Sequence, residues 1–472
     1  MTGSGTLLDP FIIWDVTDLQ NMELDLTAYY ELGQDIDASA TVGWNGGLGF
    51  EPVGGWGGAA AFTGTFDGKG YRITGLTVNR AADDYIGLFG ETDGAIIKNI
   101  GMTNVNITGR RDVAALVGYS RYNTIISDCY STGAITALAD AYDVAGLVGD
   151  NRDSTISGCN STCSITVSGG GLHDIGGLAG DNRGTITNSY FAGSVSVTGV
   201  DISDVGGLSG ENSGTITNSY STGSVSGTAG ADIYYIGGLS GENSGTITNS
   251  YFAGSVSVTG VDIYDIGGFL GNNTADVTNS FWDIETSGQA TSDGGTGLTS
   301  AEMVYGKAFA VAGWVQTIWR LNDGYYPCLI GVSPSCAYSP IPYPPWPPLP
   351  PTPPPPIIVT AIVGTLPATN IAENHATLNG VLTNSLAKYG EVRFQYGTTS
   401  AYGMNTPWQD GFFTGDDFYA NITDVGEGSA YHFRAQFRGS PIVSGSDMTF
   451  STLSSLGPVT MVSEELMQLL EG

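Results

Sequence analysis

The side chains in this sequence best able to do chemistry are carboxylates, and they recur at a fixed interval. One column runs Asp84, Asp112, Asp143, Asp174, Asp204 and Asp265, interrupted by Tyr235. A second runs Glu91, Asp150, Asp181, Glu211 and Glu242, and a third holds Asp140, Asp201, Asp232 and Asp262. Carboxylates can work as an acid and base pair on a glycosidic bond, ligate a hard cation, or simply face solvent. An active site is a unique constellation, whereas these acids come in columns of repeated copies. The expectation is therefore a protein with no catalytic residues. Carboxylates stacked about 5 Å apart repel, which raises their pKa values or recruits counter-ions. Two alternatives follow. Calcium bridges the coils through Asp143, Asp174, Asp204, Asp150, Asp181 and Glu211, or the acids form a solvated face and no cofactor is required. No GGxGxD-type calcium loop is present. Arg121, Arg152 and Arg183 form a column two positions after the second acid column. They either grip anionic glycans or offset neighbouring carboxylates.

Other reactive types are sparse. There are three His and five Cys, with no zinc-site spacing. Cys129 and Cys159 share one column position. In-register parallel strands give poor disulfide angles, so both are expected as packed thiols. Cys328 and Cys336 are close enough in sequence to bridge a loop.

The elements that must position these columns come from an internal repeat. A Gly-Leu-x-Gly phrase opens at Gly87, Ala115 (a variant), Gly146, Gly177, Gly207, Gly238 and Gly268, with spacings of 28, 31, 31, 30, 31 and 30. Residues 206–220 and 237–251 are the same fifteen letters. Each unit holds short runs of Ile, Val, Thr and Ser broken by Gly and Asn, which excludes helical repeats of similar period. Three short strands and three turns per unit, stacked, make a parallel β-helix of about 30 residues per coil, expected to be right-handed. The Leu column is Leu88, Leu116, Leu147, Leu178, Leu208, Leu239 and Phe269. The Ile column is Ile97, Ile126, Ile156, Ile186, Ile216, Ile247 and Val277. A third apolar column is Ile135, Ile165, Val195, Val225 and Val256. All three are expected to point inward. Asn99, Asp128, Gly158, Asn188, Asn218, Asn249 and Asn279 form a polar column whose amides are expected to bond along the rod. Tyr130, Tyr190, Tyr220, Tyr251 and Phe281 read as an aromatic stack.

Composition agrees with a turn-rich β protein. Of 472 residues, 71 are Gly and only 13% are charged, yet the formal net charge is −31. This acidity disfavours nucleic acid and anionic membrane surfaces as partners. No apolar run reaches the roughly 18 residues of a membrane span. Met1 is followed directly by Thr2-Gly3-Ser4-Gly5, with no basic or apolar leader. The expectation is that a leader is missing here or that the protein leaves the cell without one, as a lysis-released phage protein does.

From Gly3-Ser4-Gly5-Thr6 and Asp9-Pro10-Phe11 through Phe62-Thr63-Gly64-Thr65-Phe66-Asp67-Gly68, the repeated phrase at 206–227, and Phe281-Trp282-Asp283, the sequence resembles the GLUG-motif family of bacterial and phage surface proteins. The resemblance covers roughly residues 1–330. It implies a β-helix with an adhesin-like, surface-exposed role, and it implies no catalytic residues.

The expected layout has an N-terminal cap and lead-in at 1–60, with a short helix begun at Thr17. The β-helix occupies 61–282 and a C-terminal cap 283–338. That cap has a helix begun near Thr299 or Ser300 and large apolar residues at Trp314, Ile318, Trp319 and Tyr325. Residues 339–356 hold twelve prolines and read as extended polyproline II spanning about 55 Å. They are either a spacer or a docking peptide. Residues 357–452 show alternating runs at 376–380, 391–396 and 430–435. With the phrase at 392–403, they resemble a fibronectin type III or immunoglobulin-like β-sandwich. The tail, 453–472, carries a short helix over Ser463–Glu471.

The function expected is a structural and attachment protein exposed on a virion, as a phage fibre or capsid decoration. The alternatives are a bacterial or archaeal cell-surface adhesin and a β-helical polysaccharide lyase or glycoside hydrolase. Partners would be other virion or cell-surface proteins and glycans, acting outside the cell, with oligomerisation left open.

Overall fold

The computed structural model describes residues 1–55, 60–333, 362–384, 390–412, 416–438 and 442–455. The expected proline spacer, the tail helix and Cys336, with its pairing to Cys328, lie outside the described residues. The chain divides into two units, Met1–Pro342 and Tyr343–Gly472.

The first unit is a parallel β-helix. Ile126, Ile156, Ile186, Ile216, Ile247 and Val277 pair in unbroken register. Every Leu of the Leu column, and Phe269, is fully buried, as are Ile97 through Ile247. Each such side chain contributes about 1.5–3 kcal/mol through burial. Parallel coils bury both the interior and the ladder hydrogen bonds, so one apolar residue per face per coil continues the core. The pairing also reaches into both flanks. Phe11–Ile13 pairs with Tyr29–Leu32 at one end, and Phe281–Asp283 with Thr296–Leu298 at the other.

A coil is more broken than the three strands expected. One coil holds Val205–Gly206, Ser209–Asn212, Thr215–Thr217, Tyr220–Ser221, Ser224–Ala229 and Asp232–Ile233. Left-handed residues make the extra corners. Asn99, Asp128, Gly158, Asn188, Asn218, Asn249 and Asn279 all have φ between 48° and 64°. This column was expected to be the amide ladder; one such bond runs along it, from Asn249 Nδ2 to Asn218 Oδ1 at 3.4 Å, but what all its members share is turning the chain, because Asn, Asp and Gly tolerate positive φ best. The buried amide ladder is a different column. Asn151, Asn182, Asn212, Asn243 and Asn273 are linked Nδ2 to Oδ1 at 2.7, 2.7, 2.6 and 2.7 Å.

The aromatic column also differs from a core stack. Tyr190, Tyr220 and Tyr251 stack at 4.9 and 4.8 Å with nearly parallel rings. They form, with Leu298, Met303, Phe309, Trp314, Trp319 and Leu329, a cluster separate from the main core. Tyr220 shares a hydrogen bond with Ser333 Oγ (2.8 Å), and Tyr251 donates to the Pro327 carbonyl (2.7 Å). The segment expected as an end cap therefore lies along the flank of the rod and covers the tyrosines. Its helix Ser300–Met303 starts at Thr299 with a capping box to Glu302. The open end is closed by the loop before it. Ser292 Oγ accepts from the Phe269 and Leu270 amides, and Asp293 from the Asn273 amide. At the other end the helix spans Val16–Gln20, a residue earlier than expected, because Asp15 caps the Thr17 and Asp18 amides at 2.9 Å. Cys129, Cys159 and Cys163 are free, buried thiols.

The second unit is an antiparallel β-sandwich. One sheet joins Ile362–Thr369, His375–Asn384 and Asp417–Thr423. The other is built on Gly390–Gly397 and Ala430–Phe437. Leu378, Val392, Phe394, Phe433 and Ala435 fill its core. The Tyr431 hydroxyl accepts from the Gly426 amide (2.8 Å) and braces the turn before its strand.

Candidate functional site

The first two acid columns, separate in sequence, meet in one crease. Asp112, Asp143, Asp174, Asp204 and Asp265 sit at left-handed corners with φ of 50° to 57°. The Gly-Leu-x-Gly turn follows, and the next strand brings the second acid column back against those corners. Its last glycine permits the approach. A Cβ at Gly149 would lie 2.7 Å from the Asp143 carbonyl oxygen, and one at Gly180 2.7 Å from the Asp143 and Asp174 backbones. The motif is thus read physically: its Leu fills the rod and its final Gly closes the crease.

The register corrects one member. Arg111 pairs with Asp84 and Val113 with Ile86, so Tyr85 (φ 61°), not Asp84, occupies the corner beside Asp112. Asp84 instead binds Arg110 through both carboxylate oxygens, at 2.8 and 2.7 Å. In the second column Tyr119 stands between Glu91 and Asp150. Tyr85 and Tyr119 meet edge to face at 5.5 Å and close that end of the acid run. The third column lies apart, with Asp140, Asp201 and Asp262 exposed.

Each column arginine is engaged by carboxylate. Arg121 Nη2 lies 2.8 Å from Glu91 and 3.5 Å from Asp93, Arg152 Nη2 3.1 Å from Asp150, and Arg183 Nη2 2.5 Å from Asp181. Their outer edges remain open, with side chains 30–42% exposed. From Asp204 onward the Arg position is Ser213, Ser244 and Thr274, so the crease continues without cations of its own column.

Burial and mutual repulsion govern the electrostatics. Asp181 is fully buried and Asp150 nearly so. Burial first, then neighbouring carboxylates, hold Asp112, Asp143 and Asp174 well above the usual carboxylate range. Burial pushes Asp150 up to about 6 against the pull of Arg152 and Arg183. It pushes Asp181 to about 8, with Asp150 adding to the effect. Asp204 rises to about 7 through burial, opposed by the Ser203 hydroxyl bond (2.7 Å). Glu211 is raised by burial and by Glu242. All six carboxylates singled out from sequence as cation ligands thus lie along this crease, and Asp112 joins them.

No family model matches the chain. Over 155 residues it is 39% identical to "Halomucin" of Haloquadratum walsbyi, a match covering 31% of this chain and 2% of that protein. Over 119 residues it is 39% identical to a "Gly-rich membrane protein" of Evansella cellulosilytica, covering 25% of this chain and 13% of the relative. The chain therefore spans only a small fraction of the length of these relatives. Among solved structures, the sensor domain of the anti-sigma factor RsgI4 of Pseudobacteroides cellulosolvens aligns at 21% identity and a TM-score of 0.19. That alignment covers 21% of this chain and 98% of the domain, and it is too slight to carry an argument. No helix among the described residues is long and apolar enough to cross a membrane.

Proposed function

We propose that this chain is a non-catalytic structural and attachment module displayed outside the cell. The observation that carries the reading is repetition. Candidate chemical side chains of the rod stand in register with equivalents one coil away, and Arg152 and Arg183 are tied to carboxylates of the second acid column in their own coils. Such an array suits extended contact along a surface rather than attack at one bond. Stacked Tyr234 and Tyr264, 5.0 Å apart beside Asp232 and Asp262, add a sugar-sized aromatic platform. The outer edges of Arg121, Arg152 and Arg183 add contacts for anionic glycans. The resemblance to GLUG-motif surface proteins and to fibronectin-type sandwiches points the same way, as do the names of the two relatives. Both relatives belong to cellular organisms, which favours a cell-surface adhesin over the virion fibre or decoration expected first. Incubation with anionic polysaccharides of defined length tests the reading. Retention of the polymer on the protein with its length unchanged is expected; shortened polymer would overturn it in favour of a β-helical lyase or hydrolase.

A further inference from the structure

We propose that Asp112, Asp143 and Asp150 form a calcium site at the closed end of the crease. The site lies beneath Arg152, whose Nη2 is 3.1 Å from Asp150, and it goes beyond the attachment reading. One carboxylate oxygen from each residue lies within 4.8 Å of the others. Calcium takes oxygens at about 2.3–2.6 Å in irregular shells, so ligands on opposite sides of it stand up to about 5 Å apart. Magnesium, at about 2.1 Å and octahedral, needs a tighter set.

A second observation points to a ligand. Asp150 is only 3% exposed. Its Oδ2 is held by Arg152 at 3.1 Å, while its Oδ1 is buried with no hydrogen-bond partner. Asp143 Oδ1 is likewise buried and unpartnered. A bare carboxylate oxygen in a dry site is costly unless it is protonated or ligates a cation. Charge favours the cation. Arg152 is bonded to Asp150, and Arg111 and Arg183 act on the cluster without a bond to it; against them, Asp174 and Asp181 continue the acid run on the next coil. The position is also built. Asp112 and Asp143 are corner residues held by positive φ, Gly118 lets the Tyr119 strand approach Asp112, Gly149 lets the Asp150 strand approach both corners, and the Tyr85–Tyr119 pair walls off one end.

The test uses the full chain stripped with chelator. Calorimetric titration with calcium chloride is expected to show saturable binding. Terbium in the same site should luminesce on tyrosine excitation, because Tyr85 and Tyr119 adjoin it. Asp143→Asn and Asp150→Asn should each weaken calcium binding by roughly 10-fold or more and quench the sensitised terbium signal. Exposed Asp262→Asn should change neither. Melting in chelator shows whether the variants fold; Asp143→Asn should melt no lower than wild type there, since it removes repulsion. Absence of saturable binding, or wild-type affinity in both crease variants, overturns the site and leaves protons shared among the carboxylates.

Discussion

Replacing Asn212 by Ala isolates what the buried amide ladder contributes. Asn212 is fully buried. Its Oδ1 accepts from Asn182 Nδ2 at 2.7 Å, and its Nδ2 donates to Asn243 Oδ1 at 2.6 Å. Truncation leaves one buried donor and one buried acceptor without partners, on opposite sides of the gap. Each orphaned group costs about 1–3 kcal/mol, so Asn212→Ala should destabilise the rod by about 3–5 kcal/mol. Asn273 is the comparison. It ends the ladder, is only half buried, and has a single ladder neighbour, Asn243. Asn273→Ala should therefore cost about 1–2 kcal/mol. Urea unfolding followed by fluorescence of Trp282, Trp314 and Trp319 measures both. In a stacked-repeat protein the change in one coil shifts the shared transition or splits it, and the splitting itself locates the weakened coil. A loss below about 1 kcal/mol for Asn212→Ala, or equal losses at the two positions, would refute the argument that unsatisfied amides dominate.

Three further outcomes follow from the geometry. Asp204 has its pKa raised from 3.8 to about 7, so the folded state favours its neutral form. Its contribution to stability is present at low pH, is lost as pH rises from about 4 through 7, and is flat above. With Ser203, Glu211 and Glu242 facing it, wild type should lose on the order of 2–4 kcal/mol across that window that Asp204→Asn does not, as melting at pH 5 and 8 would show. Tyr220→Ala removes the middle ring of the flank stack and should cost about 3–5 kcal/mol and speed proteolysis within 299–333. Tyr220→Phe, losing only the bond to Ser333, should cost about 1 kcal/mol. Leu208→Ala should destabilise by about 2–5 kcal/mol, whereas exposed Ile263→Ala should stay within about 0.5 kcal/mol by urea unfolding.

The inward columns were legible because apolar type and spacing repeat together. Leu147, Leu178 and Leu208 can share a period and a chemistry only if they share a place. Polar columns carry less. Asn188 and Asn182 recur with the same period, yet one turns the chain at positive φ and the other bonds along the interior, and nothing in the letter Asn separates them. Asp84 was placed in the column of Asp112 and Asp143 because it matches them in type; the first coil is shorter, and the ladder puts Tyr85 in that position instead. The crease was read as separate columns because Asp143 and Asp150 lie seven positions apart. Only the close approach at Gly149 brings them together. The flank position of residues 299–333 was also hidden, since a tyrosine stack reads the same whether it faces the core or awaits a cover.

The claim that this rod works outside the cell is tested most directly on intact source cells or particles. Antibodies raised against residues 61–282 should label them without permeabilisation, and external protease should remove the label. Labelling that appears only after the envelope is breached would contradict the account.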